Sequence, residues 1–162
     1  MDGWLVANEI TTGVGPGRFD PNAHLTRAQA ATFVWRLAGS PAPPRGAPEF
    51  TDVASDEWYH DAVRWMASNG ITTGTGQGRF APDATATRAE FVTFLWRLVD
   101  RPAVDRPLPF ADLRADWQRP AMRWASTTGI TTGTSTTTFD PDGAVTRGQT
   151  AALLARLADA IG

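Results

Sequence analysis

The sequence predicts a mainly α-helical protein built from three helix–loop–helix repeats, with short β pairs at most in the loops. Three observations carry this prediction. One motif string returns twice, at offsets of 61 and 59 residues, which is how a repeat architecture shows itself in sequence. Each copy contains a Thr-Arg tetrad that fits the start of a helix. The two complete copies also hold an earlier stretch of helical spacing that a glycine stops.

The string Glu9-Ile10-Thr11-Thr12-Gly13 returns as Gly70-Ile71-Thr72-Thr73-Gly74 and as Gly129-Ile130-Thr131-Thr132-Gly133. Phe19, Phe80 and Phe139 then align, followed by Pro21, Pro82 and Pro141. Thr26-Arg27, Thr87-Arg88 and Thr146-Arg147 come next, and Arg36-Leu37, Arg97-Leu98 and Arg156-Leu157 close the pattern. The second and third units share an opening half: Phe50-Thr51-Asp52-Val53, Trp58 and Ala62-Val63-Arg64-Trp65 match Phe110-Ala111-Asp112-Leu113, Trp117 and Ala121-Met122-Arg123-Trp124. The first unit lacks that half and begins at Trp4, the counterpart of Trp65.

The predicted boundaries are residues 1–38 for the truncated first repeat, 50–98 for the second and 110–162 for the third, all in one compact domain. Segments 39–49 and 99–109 link them, the first stiffened by Pro41, Pro43, Pro44 and Pro48. No secretory signal precedes the first motif, so either the protein stays inside the cell or the chain is a fragment of a longer one, and the truncated first repeat favours the fragment. The missing half of the first repeat should bare apolar surface. Either an upstream N-terminal segment or a second copy of the chain is expected to cover it.

Within each complete unit the first helix should run from near Trp58 to Asn69, with Gly70 as its left-handed stop. Ala62, Val63, Trp65 and Met66 form its apolar stripe. In the third unit Pro120 falls in the first turn, where its missing N–H does no damage, and Gly129 ends the helix. The second helix opens with a capping box: Thr26 with Gln29, Thr87 with Glu90, Thr146 with Gln149. Apolar faces follow, such as Ala30, Phe33, Val34 and Leu37, or Phe91, Leu95 and Leu98. The intervening loops are rich in Gly, Thr, Pro and Asp, leaving room for short strands only around Thr72 and Phe80.

Composition removes several function classes. No run of apolar residues approaches membrane-spanning length, so no membrane insertion is expected. The 15 basic residues, all arginine, face 17 carboxylates for a net charge of −2; without a basic stripe, nucleic-acid binding is not expected. Cysteine is absent and there are two histidines, which disfavours a disulfide framework, a thiol nucleophile and a Cys/His metal site. No cofactor is expected. Asp20-Pro21-Asn22 and Asp140-Pro141-Asp142 look calcium-like but lack the twelve-residue loop and its terminal Glu.

The succession Phe-x-Asp, Trp, Ala-Val-x-Trp, Gly-Ile-Thr-Thr-Gly, Gly-x-Phe-x-Pro and Thr-Arg-Ala-Glu resembles the S-layer homology repeat. The resemblance covers nearly the whole chain, as two complete copies and one truncated one. Thr87-Arg88-Ala89-Glu90 matches the family's signature tetrapeptide, while Thr26-Arg27-Ala28-Gln29 and Thr146-Arg147-Gly148-Gln149 depart from it at the acidic position. It implies three repeats packed as a pseudo-threefold trefoil. It also implies non-catalytic binding of a cell-wall polysaccharide, often a secondary polymer with anionic pyruvate ketals, by modules that anchor surface proteins or exoenzymes outside the cell.

Arg27, Arg88 and Arg147 are the leading ligand candidates. Each follows the capping Thr, where the helix dipole disfavours a cation, whereas free amides together with a guanidinium fork would suit a carboxylate. The competing structural reading is an ion pair to Asp52, Asp83, Asp112 or Asp142. Trp58, Trp65, Trp117 and Trp124 could stack on sugar rings, although the repeated apolar aromatics at Trp65 and Trp124 suit a core better. Trp35 and Trp96 share a third position that becomes Ala155 in the last unit. Asp52 and Asp112 could touch ligand or simply cap a turn. No paired carboxylates or nucleophile elbow recur, so no catalytic residue is expected. The sequence therefore predicts a wall-polysaccharide-binding module, with an interaction scaffold or an enzyme grafted on the repeat fold as alternatives.

Overall fold

A computed structural model describes residues 20–161; Trp4, Gly13, Phe19 and the rest of the opening of repeat one lie outside them. The described residues are mainly helical, as the spacing predicts. Helix α1 spans Arg27–Leu37, α2 His60–Ser68, α3 Arg88–Leu98, α4 Arg119–Thr127 and α5 Arg147–Ile161. A 3₁₀ turn, Asp116–Gln118, leads into α4.

All three predicted capping boxes form. The hydroxyls of Thr26, Thr87 and Thr146 each accept from the backbone N–H three residues on at 3.1 Å, and the Gln29, Glu90 or Gln149 side chain accepts the cap's own N–H. The first helices end where glycine can turn left-handed: Gly70 has φ +67° and Gly129 φ +77°. Pro120 sits in the first turn of α4. The stripe of α2 is buried at Ala62, Val63 and Met66, with Trp65 partly buried against the same core.

The repeats join through their capping segments. Leu25, Ala86 and Val145 occupy one repeat position, and their backbones form a closed ring. Leu25 N–H donates to the Val145 carbonyl, Val145 N–H to Ala86, and Ala86 N–H to Leu25, at 2.9–3.1 Å. Isolated bridges follow the same cycle, Thr26 to Thr85, Thr87 to Ala144 and His24 to Thr146. Those three side chains are themselves buried, so burial of Leu25, Ala86 and Val145 favours the ring while its hydrogen bonds keep the backbone satisfied. Around it, α1 packs on α2 and α3 packs on α4, so each second helix meets the first helix of the next repeat.

The loop strands that the sequence leaves room for reduce to a single bridge between Gly76 and Arg79. Side chains take over the loop's hydrogen bonds instead. Asp52 accepts from the Phe80 and Ala81 N–H groups, both at 2.8 Å, and Asp112 does the same for Phe139 and Asp140. The rings of Phe50 and Phe110 pack at a tilt against those of Phe80 and Phe139. The links are held against the helices: the Trp35 indole donates to the Pro41 carbonyl at 2.8 Å and Trp96 to Pro102 at 3.0 Å. Helix α5 runs on to Ile161 with no such turn, which accounts for Ala155 in place of a third tryptophan.

Candidate functional site

Two clefts of the same construction lie between repeats, each with a volume of about 380 Å³. The wall of each is one face of a second helix. Positions i, i+3, i+4 and i+7 share a face; these are Glu90, Thr93, Phe94 and Arg97 on α3, and Gln149, Ala152, Leu153 and Arg156 on α5. The floor is the Gly-Thr loop of the same repeat, Thr72 to Thr75 or Thr131 to Thr134. The preceding repeat contributes an arginine, Arg27 to the first cleft and Arg88 to the second. Trp117 from the third repeat completes the first cleft, so that cleft draws on all three units.

Hydrogen bonds within the loops and from the helix wall pin the loops in place. The Thr72 and Thr131 hydroxyls accept from the Gly74 and Gly133 N–H at 3.1 Å. Arg97 and Arg156 donate to the carbonyls of Ile71 and Ile130 at 3.0 and 3.1 Å. Gly74 is obligatory: it has φ +80°, and a Cβ there would lie 2.3 Å from the Arg79 carbonyl oxygen and 2.7 Å from the Phe50 ring.

Arg27, Arg88 and Arg147 are all buried. The Arg27 guanidinium lies 4.7 Å from the Phe80 ring centroid, donates from Nε to the Phe80 carbonyl at 2.8 Å and pairs with Glu90. Arg88 repeats the arrangement on Phe139, at 4.6 Å from the ring and 2.9 Å from the carbonyl. Arg147 lies 5.5 Å from the Phe33 ring. Burial lowers the pKa of Arg27 and Arg88 from the ordinary guanidinium value, against the pull of Asp52 on Arg27 and of Asp140 and Asp112 on Arg88; both remain cations. The partner of Arg27 is thus Glu90, and of the aspartates weighed from sequence Asp52 acts on it through space.

The helix ends differ from the sequence expectation in one respect. Their first amides are already used: Arg27 and Ala28 N–H donate to Ala84 and Pro82, Arg88 and Ala89 to Gly143 and Pro141, Arg147 and Gly148 to Ala23 and Pro21. The next repeat's loop supplies these carbonyls. These amides are therefore not free for a ligand, and the charge at the helix ends is that of the guanidinium groups.

The other candidates separate. Trp117 and Trp58 are exposed, at 47% and 60%, and Trp58 lies edge-on to Tyr59. Trp124 is buried in the core and Trp65 is partly buried against it. Asp52 and Asp112 lie behind the loops with their oxygens committed to backbone donors. Burial opposes their ionisation, but those donors outweigh it and hold both carboxyls below the usual aspartate range. Arg97, Arg156 and the threonines that line the clefts were not singled out from sequence, although an arginine recurs seven residues after each Gln or Glu of the capping box.

No helix among the described residues is long and apolar enough to cross a membrane. The S-layer homology domain profile matches residues 3–31, 49–92 and 109–151. Over 157 residues the chain is 27% identical to an S-layer protein of Bacillus thuringiensis subsp. finitimus, covering 94% of this chain and 19% of that protein. It is 26% identical over 152 residues to a cellulosome-anchoring protein of Acetivibrio thermocellus, covering 89% of this chain and 34% of the relative. An amylopullulanase of Thermoanaerobacterium thermosulfurigenes is 27% identical over 157 residues, covering 93% of this chain and 8% of the enzyme. This chain therefore spans about a third or less of each of these relatives, and with three profile matches over most of its length it belongs to the S-layer homology domain family.

Proposed function

We propose that this chain is a non-catalytic anchoring module that holds an anionic cell-wall polysaccharide, one bearing groups such as pyruvate ketals, in the clefts between its repeats. Its place would be the cell surface, and its three repeats would form one trefoil-shaped domain. The observation that carries the reading is the recurrence of one cleft: an arginine from the preceding repeat, a hydroxyl-rich loop and a second arginine on the helix wall. A repeated subsite suits a repeating polymer, whereas a catalytic centre would be expected once. Hydroxyl and amide groups with guanidinium forks suit sugar hydroxyls and carboxylates. The relatives' names supply the context of S-layers and anchoring, and the enzyme among them matches over only 8% of its length.

The test is co-sedimentation with purified walls that carry a pyruvylated polysaccharide, before and after chemical removal of that polymer. Retention on intact walls and release from stripped ones is the expected result. Equal retention on both, or none on intact walls, would overturn the reading.

A further inference from the structure

The two clefts share a plan but not a charge. In the first, the Glu90 carboxylate serves two partners: Oε1 accepts the capping N–H of Thr87, and Oε2 pairs with Arg27. The guanidinium at that cleft is already neutralised. In the second, Gln149 stands at the same position and makes the same capping contact, from Thr146 N–H at 3.0 Å. Its remaining amide group carries no charge. Among the described residues no carboxylate pairs with Arg88, whose Nε alone is engaged, by the Phe139 carbonyl.

Among the described residues the lining charges are thus Arg27, Arg97 and Glu90 in one cleft, against Arg88 and Arg156 with no acid in the other. Acids near Arg88 do not cancel this difference. Asp112 is committed to the Phe139 and Asp140 amides, just as Asp52 is in the other repeat. Asp140, where repeat two has Ala81, is exposed and outside the cleft lining, so solvent screens it. The first cleft has what the described residues of the second lack: an aromatic ring, that of Trp117, and the buried Thr93 hydroxyl, whose Oγ1 has no hydrogen-bond partner.

The geometry points to a division of labour, resting on the glycan-binding reading above: the Arg88–Arg156 cleft takes the anionic substituent, and the Arg27–Glu90 cleft takes a neutral sugar. A carboxylate entering the second cleft meets two guanidinium groups; one entering the first must displace or sit beside Glu90. The neutral ring instead finds Trp117 to stack on and an unpartnered hydroxyl to bond.

The capping position makes the test clean, because each repeat already shows the other's side chain doing the same structural work. Two simple glycosides serve as probes, one carrying a 4,6-linked pyruvate ketal and one without it. They are titrated into the ¹⁵N-labelled full chain, and the Gly133 and Gly74 amides report the two clefts separately. The ketal glycoside should saturate Gly133 first, at about tenfold lower concentration than Gly74, and the ketal-free sugar should move Gly74 alone. Gln149→Glu, which recreates the Glu90 arrangement beside Arg88, should weaken binding at Gly133 by about ten- to a hundredfold. Glu90→Gln should strengthen ketal binding at Gly74. Saturation of Gly74 first, equal midpoints, or an unchanged Gly133 midpoint in Gln149→Glu would overturn the inference. So would silence at both amides while the protein still sediments with intact walls, which leaves the anchoring function standing. Loss of wall sedimentation by the parent protein would sink the underlying reading instead.

Discussion

Asp52 is the residue whose removal should best expose how the cleft is held in shape. Its two oxygens each accept a backbone N–H at 2.8 Å, from Phe80 and Ala81. The Phe80 carbonyl in turn receives Arg27 Nε, so one carboxylate fixes the peptide that carries a cleft arginine. A hydrogen bond to a charged acceptor contributes about 1.5–3 kcal/mol, and partial exposure puts these two at the lower end. Asp52→Ala should therefore cost about 3 kcal/mol, while Asp52→Asn, which keeps one acceptor, should cost about half that. The pH dependence has a definite sign. The folded carboxyl lies below its unfolded value of about 3.9, so its contribution is complete above that value and disappears as pH falls through the folded pKa. Urea denaturation of parent and both variants at neutral pH and in strong acid measures this directly. The gap between parent and Asp52→Asn should be widest at neutral pH and close in acid. A gap that stays constant with pH, or one below about 0.5 kcal/mol at neutral pH, would refute the assigned role of these two bonds.

Two further predictions concern the same frame. Thr87→Ala deletes the hydroxyl that caps α3 and should lower stability by about 1 kcal/mol in urea melts; equal stability would contradict the capping box. Gly133→Ala places a Cβ 2.5 Å from both the Phe110 ring and the Thr138 carbonyl at φ +80°. Gly129→Ala, also left-handed but with nothing within 4 Å, should cost only the conformational term of about 1–2 kcal/mol. The difference between these two melts measures the clash, and identical values would show that the loop is free to move.

What the sequence made legible is what local chemistry dictates. Capping boxes, glycine stops and apolar stripes depend on neighbours three or four residues away, so Thr26, Gly70 and Met66 could be assigned from spacing. The joints between repeats depend on residues about sixty positions apart. Periodicity alone could not show that the Arg88 amide would meet Gly143, or that Arg27 would lie against Phe80. The amides at these helix ends are not free for that reason: neighbouring repeats consume those donors. Trp35 and Trp96 were likewise opaque, because their indole N–H groups bond to the link that follows, at Pro41 and Pro102. The arginines at 97 and 156 were visible as repeated letters, yet their direction emerges only when the heptad step from Glu90 and Gln149 is placed on a formed helix.

The same arginines that reach the clefts also hold them together. Arg88 is buried, lies on the Phe139 ring and binds its carbonyl; Arg27 does the equivalent on Phe80. Truncating either to alanine removes a cation, a ring contact and a hydrogen bond at once, so lost binding and lost folding would arrive together. A function built on such residues is better modulated through what stands beside them. Position 90 and its counterpart 149 would do this with one atom's difference, since Glu and Gln cap the helix alike and differ in the charge they offer the guanidinium. Repeats can then diverge in ligand preference without disturbing the fold they share, and the sequence of this chain, with Glu in one cleft and Gln in the next, has the form such divergence would take.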